Sequence, residues 1–261
     1  MSNKTFLNIL IAGFFLLVIG FIFRVSSGNV QNEKKINQSP KLVVGIVVDQ
    51  MKYQYLTKYW KHYSEGGFKR LINKGFNAKS NHYGYAQTST GPGHTTVATG
   101  THPGVHGIIG NSWFNKKTKK SVYCVDDMNY NTVGSSTDRG KKSPTNLLTT
   151  TLSDENRIAT NFIGKTIGVA IKDRGSILSS GHTANAAYWF DSKEGSFISS
   201  TYYLTSLPSW AQEFNDSRHI DSYLKPWETY HDISTYIESG PDMNEYESNF
   251  SGEENPIFPH N

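Results

Sequence analysis

The chain has 261 residues, enough for one large domain or two small ones, and 36% of them are hydrophobic, 18% charged and 13% aromatic. Cys124 is the only cysteine, which excludes an intrachain disulfide and a cysteine-based zinc site. The net charge of +4 conceals an asymmetry: from Ala211 onward 11 acidic residues face only Arg218 and Lys225, leaving 24 basic and 11 acidic residues before that point. A basic body of this kind steers anionic substrates, but no Lys/Arg block is dense enough to argue for nucleic acid.

Taken in chain order, residues 1–28 come first as a targeting element. Lys4 precedes an apolar run from Phe6 to Phe23, broken by Asn8, of about the ~20 residues that span a bilayer. The segment reads as a signal peptide or an N-terminal membrane anchor. Its positive end is expected to stay in the cytoplasm, with the remainder exported: periplasmic, anchored facing the periplasm, or secreted. Residues 29–40 read as a polar tether. Lys41–Met51 (KLVVGIVVDQM) is a Val-rich run ending in a carboxylate, the pattern of a strand buried on both faces. Helices are expected over Tyr53–Trp60 and Gly66–Asn73, and a second strand over Asn77–Tyr85. Thr88–Gly100 (TSTGPGHTTVATG) reads as a turn entering a helix. Short strands follow at Ile108–Phe114 and Ser121–Cys124, a loop at Thr132–Ser143 and a helix at Thr145–Ala159. Lys165–Ile171 (KTIGVAI) is a third buried-strand candidate, and Ala186–Asp191 with Ser196–Tyr203 reads as a hairpin. This alternation argues for a layered α/β fold with a largely parallel sheet.

Asp49, the Thr88–Gly100 stretch and Lys172-Asp173-Arg174 each follow a candidate strand, so in a parallel sheet they converge on one edge, where such folds bind ligands. Each also has a plainer reading. Asp49 either caps the next helix or ligates a divalent cation. Thr90 either caps its helix or presents a hydroxyl where free N–H groups and the helix dipole stabilise negative charge. The stretch lacks the lysine of a nucleotide P-loop and the Gly-x-Ser-x-Gly of a hydrolase elbow. Lys172 and Arg174, two apart on a strand, share a face and suit a phosphoryl group, or form a solvated charge cluster. His94, His102 and His106 read as structural.

VVDQM, TSTGPGHTTVATGTHPGVHGIIGN, AIKDR and SGH, in this order, resemble the alkaline phosphatase superfamily, and in particular secreted bacterial phosphatases with a threonine nucleophile, which are related to type I phosphodiesterases and nucleotide pyrophosphatases. The resemblance implies a three-layer α/β sandwich over residues 41–261, with a substrate-side insertion from about residue 195. It implies metal-dependent hydrolysis of phosphate monoesters through a phosphothreonine intermediate and two zinc ions. Asp49 matches a zinc ligand, and Thr90 matches the nucleophile that also meets that metal. Asn111 matches a phosphoryl-oxygen ligand, and Lys172 and Arg174 match the phosphoryl clamp of the monoesterase branch. The partner implied is a small phosphate ester.

The family's second ligand set, an Asp with a His four residues on, an adjacent Asp-His pair and a distant His, is not recognisable. Asp216-Ser-Arg-His219 has the wrong spacing and His231-Asp232 the wrong order. The sequence therefore corresponds to the N-terminal half of such a phosphatase, with activity expected to be impaired and the fold incomplete at its C-terminus. The alternatives are a phosphodiesterase or nucleotide pyrophosphatase of the same superfamily, and a non-catalytic, membrane-tethered phosphate-binding module.

Overall fold

The computed structural model describes residues 40–260. The leader and nearly all of the tether lie outside the described residues; among those described, no helix is long and apolar enough to cross a membrane. The chain divides into two units at Ile46/Val47. In the first, residues 40–46 form no helix or strand, and Leu42, Val43, Val44 and Ile46 are exposed. In the second, Val47 and Val48 are likewise exposed and a turn follows at Asp49-Gln50. The buried strand expected over Lys41–Met51 is therefore not formed. Such a strand needs hydrogen-bonded neighbours and covered faces, and no described strand pairs with this segment.

The second unit opens with α1 (Tyr55–Lys58) and α2 (Phe68–Lys74), which Gly75 closes by donating its N–H to the Leu71 carbonyl. The strand expected over Asn77–Tyr85 is also absent. Side-chain hydrogen bonds hold this segment instead: Tyr85 donates to the Pro92 carbonyl (3.1 Å) and lies 2.7 Å from Thr96 Oγ1. Both partners belong to α3 (Thr90–Thr99), which Gly100 ends in the left-handed conformation. A short α4 (Pro103–His106) follows, with proline at its first position. Then comes the antiparallel hairpin of β1 (Ser112–Asn115) and β2 (Lys120–Tyr123), in which Ser112 faces Tyr123.

The main sheet has four strands in the order β3 (Thr132–Val133), β6 (Ser196–Ser200), β5 (Ala186–Asp191), β4 (Ile167–Ala170). It is mixed rather than largely parallel: β4 and β5 are parallel, while β5–β6 and β3–β6 are antiparallel. The parallel pair is the βαβ unit of the chain, with α6 (Asp173–Ser180) as its crossover. Small residues let that helix sit close. A Cβ on Gly168 would collide with Ser180 Oγ, and one on Gly175 would touch Ala170 Cβ at 3.4 Å. Along β5 the period of two sorts the core. Ala187 and Trp189 join Ile177, Leu178, Ile198, Val125 and Ile108 on one side of the sheet. Ala186 and Tyr188 meet Ala211 of α7 (Ser209–Asp216) on the other. The result is three layers, helix, sheet and helix, around β5. Within Lys165–Ile171 a strand forms, as expected, but only over Ile167–Ala170 and only half-buried: Ile167 and Val169 are exposed on the side that α7 covers over β5.

The helix expected from Thr145 begins only at Leu152 (α5, Leu152–Ala159), because Thr151 is its N-cap. Thr151 and Asp154 form a capping box, and Asp154, fully buried, also accepts from the backbone and hydroxyl of Thr183. Burial pushes the Asp154 carboxyl upward, but these hydrogen bonds outweigh it and hold it below the usual carboxylate range.

His106 is fully buried. Its Nδ1 accepts from the Ile108 N–H (3.2 Å), which leaves the hydrogen of the neutral ring on Nε2, facing Thr96 Oγ1 at 3.1 Å. Burial, assisted by the neighbouring His102, lowers its pKa from the ordinary 6.5. The unfolded chain therefore binds the proton first on acidification, so this contribution to stability is intact above about pH 6.5 and declines below it. Asp154, Asp127 and Asp191, whose pKa values are lowered from 3.8, lose their contribution only in a more acidic window. Thermal unfolding followed from pH 7.5 to 5.5 is expected to show a falling midpoint, and His106→Gln is expected to flatten that slope. An unchanged slope in the variant would assign the titration elsewhere.

Candidate active site

Thr90 is the first residue of α3. The preceding Ser89 is extended and makes no side-chain cap, so the start of the helix is left open to the Thr90 hydroxyl. That hydroxyl donates to Asp49 Oδ2 at 3.1 Å. Lys172 Nζ lies 3.8 Å from the same carboxylate oxygen. Asp49 thus joins residues from three separate segments, the turn after residue 48, the start of α3 and the end of β4. Both side chains of the ion pair are over a third exposed, so the pair contributes little stability on its own.

Asn111 approaches from below the helix start. Its Oδ1 accepts from the Gly91 N–H at 2.7 Å. Because a backbone N–H can only donate, that bond settles which end of the amide is oxygen and leaves Nδ2 free to donate elsewhere. The close approach requires glycine: a Cβ at Gly91 would lie 3.1 Å from Asn111 Oδ1, 3.3 Å from the Gly110 carbonyl oxygen and 3.4 Å from Cys124 Sγ.

Lys172 and Arg174 do not share a strand face, which corrects the sequence expectation. The strand ends at Ala170, Lys172 is the N-cap of α6, and Arg174 is the second residue of that helix. They straddle a helix start instead. Arg174 Nη1 donates to Tyr123 Oη at 2.7 Å, and Tyr123 donates to Asp173 Oδ1 at 2.6 Å. The structure therefore brings Asp49, Thr90 and Lys172 into direct contact and sets Asn111 against the peptide next to Thr90. It ties Arg174 to the hairpin. Lys172 and Arg174 line one cleft of about 490 Å3, together with Tyr123, Arg139, Lys142 and Trp189. It sits where β4 and β5 end, the carboxyl edge of the parallel pair.

The three histidines are structural, as expected. His94 Nδ1 meets the Thr90 carbonyl at 2.9 Å, His102 occupies the N-cap position of α4 without a side-chain cap, and His106 is buried. Tyr123, Asp126 and Lys142 carry no motif and were not legible as site residues. Lys142 pairs with Asp126, reaches within 4.0 Å of Asp173 and lies 5.1 Å above the Tyr123 ring. Burial raises the Tyr123 phenol well above its usual range, with the Asp173 charge adding to it, so this hydroxyl stays protonated. Burial likewise pushes the Cys124 thiol up to about 12.

The chain belongs to the type I phosphodiesterase / nucleotide pyrophosphatase family, whose profile matches residues 43–249. It is 51% identical over 222 residues to alkaline phosphatase PhoV of Synechococcus elongatus, covering 85% of this chain and 40% of that protein. A Myroides odoratus protein named a calcium-transporting ATPase is 48% identical over 223 residues, 85% of this chain and 41% of that one. The crystal structure of alkaline phosphatase PafA, a protein of Elizabethkingia meningoseptica, superimposes with a TM-score of 0.83 at 44% identity, over 85% of this chain and 43% of that one. The fold is thus alkaline-phosphatase-like, and the chain spans about 40% of the length of the curated relatives it matches.

Adding a methyl group at Gly91 forces Asn111 or the Gly110 carbonyl to move, at an expected cost of about 1–3 kcal/mol. Gly93 has only an ordinary contact of 3.4 Å at its Cβ position. Denaturant unfolding of Gly91→Ala is expected to show that loss, while Gly93→Ala stays within about 0.5 kcal/mol of the parent.

Proposed function

We propose that the protein hydrolyses phosphate monoesters and that this chain supplies the nucleophile and the phosphoryl clamp. The observation that carries the reading is the Thr90 hydroxyl, at an open helix start, directed at Asp49 beside Lys172. The hydroxyl oxygen forms a bond to phosphorus as the bond to the leaving alcohol breaks. Its hydrogen passes to Asp49 Oδ2, toward which it already points, and a proton from there or from water neutralises the leaving oxygen. Water then cleaves the phosphothreonine, releasing phosphate. Throughout, the Asn111 side-chain N–H, the Lys172 ammonium, the Arg174 guanidinium and the backbone N–H of Thr90 stabilise charge on the non-bridging oxygens.

Two cations favour the monoester reading over the diester one. A monoester phosphoryl group carries about two charges near neutral pH and three free oxygens, whereas a diester carries one charge and two free oxygens. Lys172 and Arg174 suit the former.

The zinc pair implied by the family resemblance is only partly matched. Among the described residues no group of three or more His, Cys, Asp or Glu side chains converges. Asp49 and Thr90 offer two oxygen donors, short of the four that zinc takes. The described residues therefore do not fit two zinc ions, and full turnover needs donors from outside them. The chain by itself is accordingly expected to turn over poorly. The leader reading makes the protein exported.

Turnover is best measured with p-nitrophenyl phosphate and its bis-ester, using the purified chain alone and fused to the part of the Synechococcus phosphatase that it does not match. The fusion is expected to hydrolyse the monoester preferentially. Thr90→Ala is expected to lower its turnover by on the order of 10³ or more, and Lys172→Ala by about 10²–10³ with a smaller effect on the diester. Preference for the diester, or turnover that survives Thr90→Ala, overturns the reading. Phosphate binding without turnover in the fusion means a non-catalytic module.

A further inference from the structure

Arg174 is the one cation of the clamp that does not touch Asp49 or Thr90 among the described contacts, so something else must aim it. Its guanidinium is mostly buried, with 17% of the side chain exposed. Its Nη1 donates to Tyr123 Oη at 2.7 Å. Its Nε is buried and has no acceptor among the described residues. The polarity of the Tyr123 hydroxyl is fixed by its two neighbours. Arginine can only donate and an ionised carboxylate can only accept, so the single phenol hydrogen points to Asp173 Oδ1 at 2.6 Å and a lone pair points to Arg174. The same carboxylate oxygen accepts from the Arg174 backbone N–H at 2.7 Å. The three groups form a closed ring of hydrogen bonds across the start of α6. Lys142, within 4.0 Å of Asp173, partly offsets its charge.

Tyr123 is in turn fixed by the hairpin. It pairs with Ser112, next to Asn111, and the Cys124 N–H donates to the Asn111 carbonyl at 2.9 Å. One rigid hairpin therefore holds the amide that faces the Thr90 helix start at one point and the phenol that holds the arginine at another. We propose that Tyr123 is a positioning residue for phosphoryl recognition: through its hydroxyl it holds the Arg174 guanidinium in the orientation that grips a phosphate oxygen, in fixed relation to Asn111. This rests on the phosphomonoester reading of the site and deepens it.

The probe is inorganic phosphate, titrated calorimetrically into the purified chain, with thermal unfolding recorded alongside. Tyr123→Phe keeps the ring under Lys142 and removes only the hydroxyl. It is expected to weaken phosphate binding about 10-fold, the loss of one hydrogen bond to a charged group, with an unfolding midpoint within about 2 °C of the parent. In an Arg174→Ala background the same change is expected to alter affinity less than twofold, because the residue it positions is gone. The Arg174 Nε–Hε resonance of the ligand-free chain is expected to broaden or vanish in Tyr123→Phe. Should Tyr123→Phe melt more than about 10 °C lower, Asp173→Asn, which leaves the phenol in place but removes the carboxylate that directs its hydrogen, is held to the same criteria. Equal affinity in the parent and Tyr123→Phe overturns the positioning role alone. So does an equal loss in both backgrounds, which marks a general structural effect. Absence of phosphate binding by the parent overturns this inference, while the monoester-against-diester preference of the fusion decides the reading on which it rests.

Discussion

The site depends on how closely two helices approach each other. α3 and α6 pack with glycine at the contact: a Cβ on Gly175 would sit 3.7 Å from His94 Nε2, while Gly91 clears the way for Asn111 under the first turn of α3. Both helices begin at the site, one with Thr90 and the other with Lys172 as its cap. Two helix starts turn the positive ends of their dipoles to the same region, although Asn111 and Asp173 already accept from the N–H groups of Gly91 and Arg174. Among the described residues, Asp49 is the single carboxylate in contact with both side chains there. An anionic ligand would meet a field that the backbone itself provides, with the cations adding to it rather than creating it. Bulkier residues at these contacts would move the helices apart and separate Thr90 from Lys172 before any polar group was altered.

Where local chemistry decides, the sequence was informative. Thr90 as a helix start followed from hydroxyls before Gly91-Pro92-Gly93, and the β5–β6 hairpin followed from its aromatic, β-branched runs. Asp49, Thr90 and Lys172 do meet, but of the three only Lys172 follows a formed strand, so the reason the sequence offered fails for the other two. It failed where the outcome depends on partners. KLVVGIVVDQM has the composition of a buried strand, yet burial is a property of neighbours, and no described strand lies beside it. Lys172 and Arg174 were assigned to a strand because the apolar run before them gave no sign that Asp173 would begin a helix three residues after β4 ends. Asn77–Tyr85 is shaped by tyrosine hydroxyls that find carbonyls on α3, a tertiary preference with no periodic signature.

The Tyr123–Asp173–Arg174 ring illustrates the same limit more sharply. Tyr123 lies 50 and 51 positions from Asp173 and Arg174 and stands in no local pattern. The motif drew attention to Lys172 and Arg174 and gave no role to Asp173 between them. In the folded chain Asp173 is the acceptor that organises the group beside it. A short motif can thus name the residues that face a ligand and pass over those that decide whether they face it correctly.

Cys124 lies at the junction of these elements, fully buried behind Asn111 and beneath Gly91. Its thiol is pushed up to about 12, so no appreciable thiolate exists near neutral pH, and the sulfur is inert toward oxidants and alkylating reagents while the hairpin and α3 stay together. Cys124 therefore takes no part in thiol–disulfide exchange while it stays buried. Conversely, any reagent that does modify Cys124 reports that the joint between hairpin and helix has opened, which makes the lone cysteine a built-in gauge of the site's breathing.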